Sequence, residues 1–263
     1  MSKKAGKTSV TMAACMLLVS QTTFAVDESA TISTQSRIAS YFAAWKPTWV
    51  ATLAAGPAWE NGGGNQTITL APGIVKTYTK NNTSSSLADV SLFLGVQQPA
   101  WKNLQAQYGL DIAKTGNASI TGDIWDDASP VFNNYTYKYQ INHTHLNVKA
   151  VLQADMGYLV IPWISASAGV AFNDAHDFSN APGIFTAVPS PNFRSNTITS
   201  FNYTFGIGMQ RPVNQHWQAG ISYQFANWGN SELDTAQGQT TGNRLSLSNL
   251  YTNSILANIS YQS

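Results

Sequence analysis

The chain has 263 residues, of which 43% are apolar and only 10% charged, against about 25% charged in ordinary soluble domains. Its 14 basic and 13 acidic residues give a formal charge of +1, which excludes the strongly basic surface that a nucleic-acid partner requires. A lone cysteine excludes a fold stapled by internal disulfides, so stability has to come from backbone pairing and burial.

The first element is a targeting signal. Lys3, Lys4 and Lys7 precede an apolar stretch from Val10 to Val19, and Thr23-Phe24-Ala25 offers the small residues a signal peptidase reads, so residues 1–25 are expected to be a signal peptide cleaved after Ala25. The apolar stretch is far shorter than the ~20 residues of a spanning helix, which makes it a leader and not an anchor. Cys15 offers a rival reading as a lipid-attachment site after Met12-Ala13-Ala14, but Met16 to Val19 continue the apolar run beyond it, the wrong order for cleavage there. Processing after Ala25 leaves 11 basic against 13 acidic side chains, a formal charge near −2, and no thiol.

Residues 26–48 follow as an N-terminal segment. Ile38, Tyr41, Phe42 and Trp45 recur at helical spacing between Ser36 and Lys46, and Pro47 ends the run, so the spacing predicts a short amphipathic helix. Two places suit it, the inner membrane-facing rim or the lumen of the domain that follows.

Residues 49–263 read as one all-β domain whose segments alternate with period two. In chain order, Val90, Leu92, Leu94 and Val96 oppose Ser91, Gly95 and Gln97. Next, Tyr108, Leu110 and Ile112 oppose Gln107, Gly109 and Asp111, and the dyad recurs from Ile164 to Phe172. Phe201, Tyr203, Phe205, Ile207 and Met209 then oppose Asn202, Thr204 and Gln210. Trp217, Ile221, Tyr223 and Phe225 oppose Gln218, Ser222 and Gln224, and Ile255, Ala257, Ile259 and Tyr261 oppose Leu256, Asn258 and Ser260. A water-soluble sandwich would place Lys, Glu, Asp and Arg on its outer face, whereas the polar face here is small, amide or hydroxyl, as suits a crowded, wet lumen.

Aromatic residues near segment ends (Trp49, Trp59, Trp101, Trp163, Trp217, Trp228, Tyr251 and Tyr261) match side chains that lie among lipid headgroups. Backbone groups at an open sheet edge cannot be satisfied in hydrocarbon, so the sheet must close, and up-and-down closure requires an even strand number.

Short connectors 99–103, 155–162 and 211–215 predict turns on the periplasmic side, and polar stretches 116–134, 176–197 and 230–248 predict outside loops. Counting back from a final strand at 249–261 gives 217–229, 198–210, 163–173, 136–153, 103–115 and 87–98. Segments 49–59 and 67–79 compete for the eighth place. Taking 49–59 leaves 67–78 as a hairpin arm within a long first loop. The 136–153 strand exceeds the ~9–11 residues of a tilted span, and its apolar phase shifts between Ile141 and Leu146, predicting a β-bulge near His143 and His145.

The strands TFGIGMQ, QAGISYQFANWG and SASAGVAF and the closing SILANISY resemble the outer membrane protein β-barrel domain family, which includes opacity-type and OmpA-like eight-stranded barrels, over about residues 49–261. The resemblance implies a transmembrane antiparallel up-and-down β-barrel of eight strands in a Gram-negative outer membrane, with loops outside. It implies contact with outer membrane lipid and lipopolysaccharide, recognition of the closing strand by the barrel assembly machinery, and loops available to a host or extracellular ligand. The chain departs from many relatives in that Gln262 and Ser263 follow the terminal aromatic, Tyr261.

Side chains with chemical potential fall in three groups. Asp123, Trp125, Asp126 and Asp127 cluster in one predicted loop, and Asp174, His176 and Asp177 in the next, types that bind divalent ions, though neither has the spacing of a known metal loop. His143 and His145, two apart on a strand, share a face; if a bulge lifts them above the membrane they are ordinary polar positions. His176 with Asp174, Asp177 or Ser165 has the composition of a hydrolytic site without any nucleophile motif. The sequence thus assigns no catalytic, metal or cofactor residue and favours a non-enzymatic surface barrel, with a narrow channel and a lipid-modifying enzyme as alternatives.

Overall fold

A computed structural model describes residues 48–81, 86–185 and 190–263. The expected signal peptide, Cys15 and the expected helix at 36–46 lie outside the described residues.

Among the described residues, eleven strands run in the order β1 (Thr48–Asn61), β2 (Gln66–Ala71), β3 (Ile74–Tyr78), β4 (Ser86–Trp101), β5 (Leu104–Thr115), β6 (Ala118–Asp126), β7 (Asn133–Ala154), β8 (Ile161–Pro182), β9 (Asn196–Pro212), β10 (Trp217–Glu232) and β11 (Ser246–Gln262). Eight of them close a ring, β1-β4-β5-β7-β8-β9-β10-β11, sealed where β1 pairs antiparallel with β11 from Val50↔Gln262 to Asn61↔Tyr251. The eight segments read from the sequence are these eight strands, and residues 67–78 form the β2–β3 hairpin of the first loop.

The short connectors, which follow Trp101, Ala154 and Pro212, gather at the end where the ring also begins and finishes. The long connections gather at the other. On the ring's outside, outward residues in the turn-end half are apolar on every strand: Leu53 on β1, Leu92 and Leu94 on β4, Leu110 on β5, Val148 on β7, Ile164 on β8, Phe205 and Ile207 on β9, Ile221 on β10 and Ile259 on β11 are all exposed. On β7 the exposed apolar run lasts from Leu146 to Leu152.

The wall does not stop where this belt ends. Strand β7 has 22 residues, about 70 Å of chain at ~3.3 Å each, against an apolar band ~25 Å tall. Its first half pairs with β6, Ala118↔Ile141 to Trp125↔Asn133, and β6 in turn pairs with β3, so the β2–β3 hairpin extends the wall beyond the top of β4. The stretches 116–134 and 176–197, expected as loops, therefore contain β6 and the end of β8.

The predicted bulge at the histidines is also corrected. Odd-numbered residues of β7 face inward without interruption from Tyr135 to Gln153, so the strand keeps its phase. What changes at Ile141 is the polarity of the interior. The irregularities sit on other strands of the wall: at the β5–β6 junction, at Asp177 (φ 56°) of β8, at Gly229 (φ 76°) of β10 and at Asn249 (φ 55°) of β11. Such bulges re-aim a strand at a barrel rim, and here they bend the wall where the lipid-facing belt gives way to the region above it.

That upper region, the cap, has its own core. Ile68, Tyr78, Ile120, Ile124, Tyr137, Tyr139, Phe178 and Phe193 are buried against one another inside the wall, with Tyr78 set edge-on to Tyr137 at 5.6 Å and to Phe193 at 5.5 Å. Its outside carries the ion pairs Arg194–Asp234 and Arg244–Glu232, while the buried Lys76 pairs with Asp126 on the inward face beside Tyr135.

Candidate functional site

The inward face of the belt is polar from the turn end upwards. Gln107 donates to Gln97 at 2.7 Å, Thr52 and Ser260 share a hydrogen bond at 2.8 Å, and Asn147, Ser167 and Thr204 form a chain of bonds at 2.8 and 2.7 Å. Trp163 lies inward across Gly206 and Gly208, where a side chain on Gly208 would meet its ring at 2.6 Å. The residual cavity among these groups is about 40 Å³, room for a few waters and no more.

Above it a charged network fills the lumen. The Asp111 carboxylate accepts from Lys149 Nζ at 3.0 Å and from His145 Nε2 at 3.1 Å, and both partners and Asp111 itself are buried. Asp89 Oδ2 accepts from Ser254 at 2.8 Å. His143 and His145 both pack on the Trp228 ring, at 4.9 and 5.0 Å, and the indole donates to Thr252 at 2.9 Å. Trp228, fully buried, thus roofs the polar lumen and floors the apolar cap.

The tautomer of His143 follows from its neighbours. Asn173 Nδ2 donates to the carbonyls of Trp228 and Asn230, which fixes its amide and leaves Oδ1, 2.8 Å from His143 Nδ1, as an acceptor. His143 therefore donates through Nδ1, and its Nε2 faces Glu60 Oε1 at 3.9 Å.

The residues singled out in the sequence are placed as follows. His143 and His145 share a face, as expected, but that face is the lumen, and both are fully buried instead of exposed above the membrane. Asp123, Asp126 and Asp127 do not converge: Asp123 accepts from Asn133, Asp126 takes Lys76 at 2.9 Å and Asn134 at 2.7 Å, and Asp127 occupies the turn after β6. Asp174 accepts from Thr197 at 2.9 Å, while His176 Nδ1 meets Asp177 at 2.9 Å. Ser165 points into the lumen eleven positions away along β8, roughly 35 Å at the rise of a strand, so no nucleophile joins that pair. Trp163 and Trp228 face inward, against the expectation that both lie among headgroups, whereas Trp49, Trp59, Trp101, Trp217 and Tyr261 are exposed outward.

Sequence reasoning missed Glu60, Asp89, Lys149 and Asn173 as lumen residues. The inward phase that exposed Asp111 would have found Asp89 and Lys149, since both share the parity of the polar face on their strands.

No protein-family model matches the chain, and no curated protein matches it in sequence. Among solved structures it is similar to the outer membrane protease OmpT of Escherichia coli, with 7% identity over 83% of this chain and 99% of that one at a TM-score of 0.49. It is also similar to OprG, an outer membrane protein of Pseudomonas aeruginosa (9% identity, 81% and 95%, TM-score 0.44), and to Neisserial surface protein A (12% identity, 81% and 96%, TM-score 0.42).

Proposed function

We propose that the chain is a non-enzymatic integral protein of a bacterial outer membrane, anchored by its belt, with the capped loop end outside and presented to a host or extracellular ligand. The observation that carries this reading is the reversal of polarity along one continuous wall. The belt is apolar outside on all eight ring strands, which only lipid accommodates, while the cap is polar outside and packed inside, a surface built for water. Long connections folded into strands make a rigid platform for loop-borne interactions. Lipopolysaccharide and lipid are the surroundings this belt implies, and the outward ridge Ile255, Ala257, Ile259 and Tyr261 of β11 is the segment offered to the assembly machinery.

The test is protease treatment of intact cells. Cleavage confined to the loop end, with a heat-modifiable remainder left in the membrane fraction, supports the reading; a chain recovered from the soluble periplasm refutes it.

A narrow channel is the second reading, favoured by the polar lumen below Trp228. The Asp111–Lys149–His145 network and the small residual cavity of about 40 Å³ below it fill the lumen among the described residues, so planar-bilayer recordings should show no stable open state. Peptide and lipid A turnover assays address the enzymatic alternative.

A further inference from the structure

The turn that joins β7 to β8 differs in chemistry from the other short turns. Lys102 and Asn103 follow β4, and Val213 to His216, mostly polar, follow β9, whereas Asp155 is succeeded by Met156, Tyr158, Leu159 and Val160, with no charged residue again until Asp174. All four are exposed, Tyr158 at 72% and Leu159 at 66%. Adjacent apolar side chains turned out of a protein in this way mark a surface that meets something other than water.

The turn is built to hold them there. The Asp155 carboxylate accepts from the Gly157 amide at 3.1 Å, and the Asp155 amide donates to the Asn103 carbonyl at 2.8 Å, which ties this turn to the one after β4. Gly157 takes φ 78°, the left-handed conformation that lets the chain reverse. Trp101, at the start of the neighbouring turn, is exposed as well.

Continuity with the belt identifies the medium. Leu152 of β7 and Ile164 of β8 are paired on the outside of the wall, and Ala154 and Pro162 carry the same phase down to the turn. Between these two strands opens a groove of about 220 Å³ whose lining includes Leu104, Leu152, Pro162, Ile164 and Ile207. It is smaller than the ~300–1,000 Å³ of small-ligand sites, and its apolar walls suit a length of hydrocarbon chain. A soluble partner could cover the turn but not this groove, which lies on the lipid-facing wall. Elsewhere the turn-end rim carries outward aromatics, Trp49 on β1, Trp217 on β10 and Tyr261 on β11, the last two edge to face at 5.1 Å. On β8 Trp163 is turned inward, and Tyr158 supplies the missing headgroup ring from the turn below.

We propose that the β7–β8 turn is a membrane anchor that lies in the leaflet at the turn end, with an acyl chain seated in the groove above it. Its backbone stays in the headgroup layer, where water still satisfies the N–H and C=O groups, while Met156, Tyr158, Leu159 and Val160 reach toward the hydrocarbon. The inference rests on the membrane reading above and goes beyond it by placing a connection, and not only the strands, in contact with lipid.

The experiment is amide-resolved NMR of the refolded full chain in nanodiscs, recorded with a gadolinium chelate in the water and separately with lipids carrying a nitroxide at the top of the acyl chain. The amides of Met156 and of Tyr158 to Val160 are expected to broaden several-fold more with the lipid nitroxide than those of Asn214 to His216, and several-fold less with the chelate. Tyr158→Ser combined with Leu159→Ser should abolish that difference while Leu146 to Leu152 keep their response to the lipid nitroxide. Turn amides that respond like Asn214 to His216 in the parent, or a double variant that responds as the parent does, overturn the anchor and leave the belt standing. Belt amides reached by the chelate would sink the membrane reading, and the anchor with it.

Discussion

The belt and the cap are made by the same strands with the same alternation, yet they are inside out with respect to each other. In the belt, Leu146 and Val148 of β7 look outward and Asn147 and Lys149 inward; a few residues earlier on that strand, Thr136 and Lys138 look outward and Tyr137 and Tyr139 inward. Period two is all a strand can impose. Which phase is apolar is decided by the medium outside, so the level where the phase inverts is a record of where lipid ends.

The strongest way to break the comparison is to remove the group shared by both regions. Trp228→Ala should cost about 3–5 kcal/mol, because it opens a void under the cap while freeing His143 and His145 from the ring that holds them. Urea unfolding in lipid vesicles should show the loss, with protection from hydrogen exchange falling on both sides of the inversion level. A loss confined to one side would mean that the belt and cap are independent units.

Arginine scanning sharpens the contrast at the outer surface. Phe205→Arg places a charge on the exposed lipid face of β9 and should cost about 2–4 kcal/mol near the bilayer midplane. Thr136→Arg on the outward face of the cap should stay within about 0.5 kcal/mol, as surface substitutions usually do. Equal costs at the two positions would erase the distinction between a lipid-facing and a water-facing wall.

A third change acts inside the belt. Gly208→Ala drives a methyl group into the Trp163 ring, at 2.6 Å from its nearest atom, and overpacking of this kind typically costs roughly 1–3 kcal/mol. Trp163→Leu in the same chain should recover only part of it, since the Ile221 carbonyl at 2.8 Å still opposes the methyl group, measured by the same unfolding midpoint.

Most of the ring was legible because lipid enforces the alternation so strictly: a strand such as Phe201–Met209 has no other way to satisfy a bilayer on one side and a filled lumen on the other. The hairpin at 67–78 was legible through parity, since a ninth ring strand cannot close up and down. The cap was not, for the same reason inverted. Asp123 and Asp126 read as loop because they are polar, although β6 carries both within the wall above the belt, and the inward tyrosines of β7 read as a slipped phase. The lumen pairs escaped for a different reason. Glu60 meets His143 only because β1 and β7 sit on the same closed ring, and no spacing along the chain encodes that meeting.

The smallest expected effect tests whether an ion pair at the edge of the aromatic core helps to hold the cap wall. Asp126 on β6 bonds Asn134 and pairs with Lys76 of β3. Burial works to raise its pKa, but those two partners outweigh it, so the carboxyl titrates below its ordinary value. A group whose folded pKa is depressed stabilises above its unfolded value, near 3.9, and loses that contribution as pH falls through the folded one. Acidification from pH 6 to below pH 3 should therefore loosen the β3–β6 pairing by up to about 1 kcal/mol, the upper range for a partly exposed pair. Hydrogen exchange at the amides of Lys76 to Tyr78 reads it directly, and Asp126→Asn should remove the pH dependence while leaving the belt amides unchanged. An undiminished slope in that variant would shift the burden of holding the hairpin entirely onto the aromatic packing of Tyr78 against Tyr137 and Phe193.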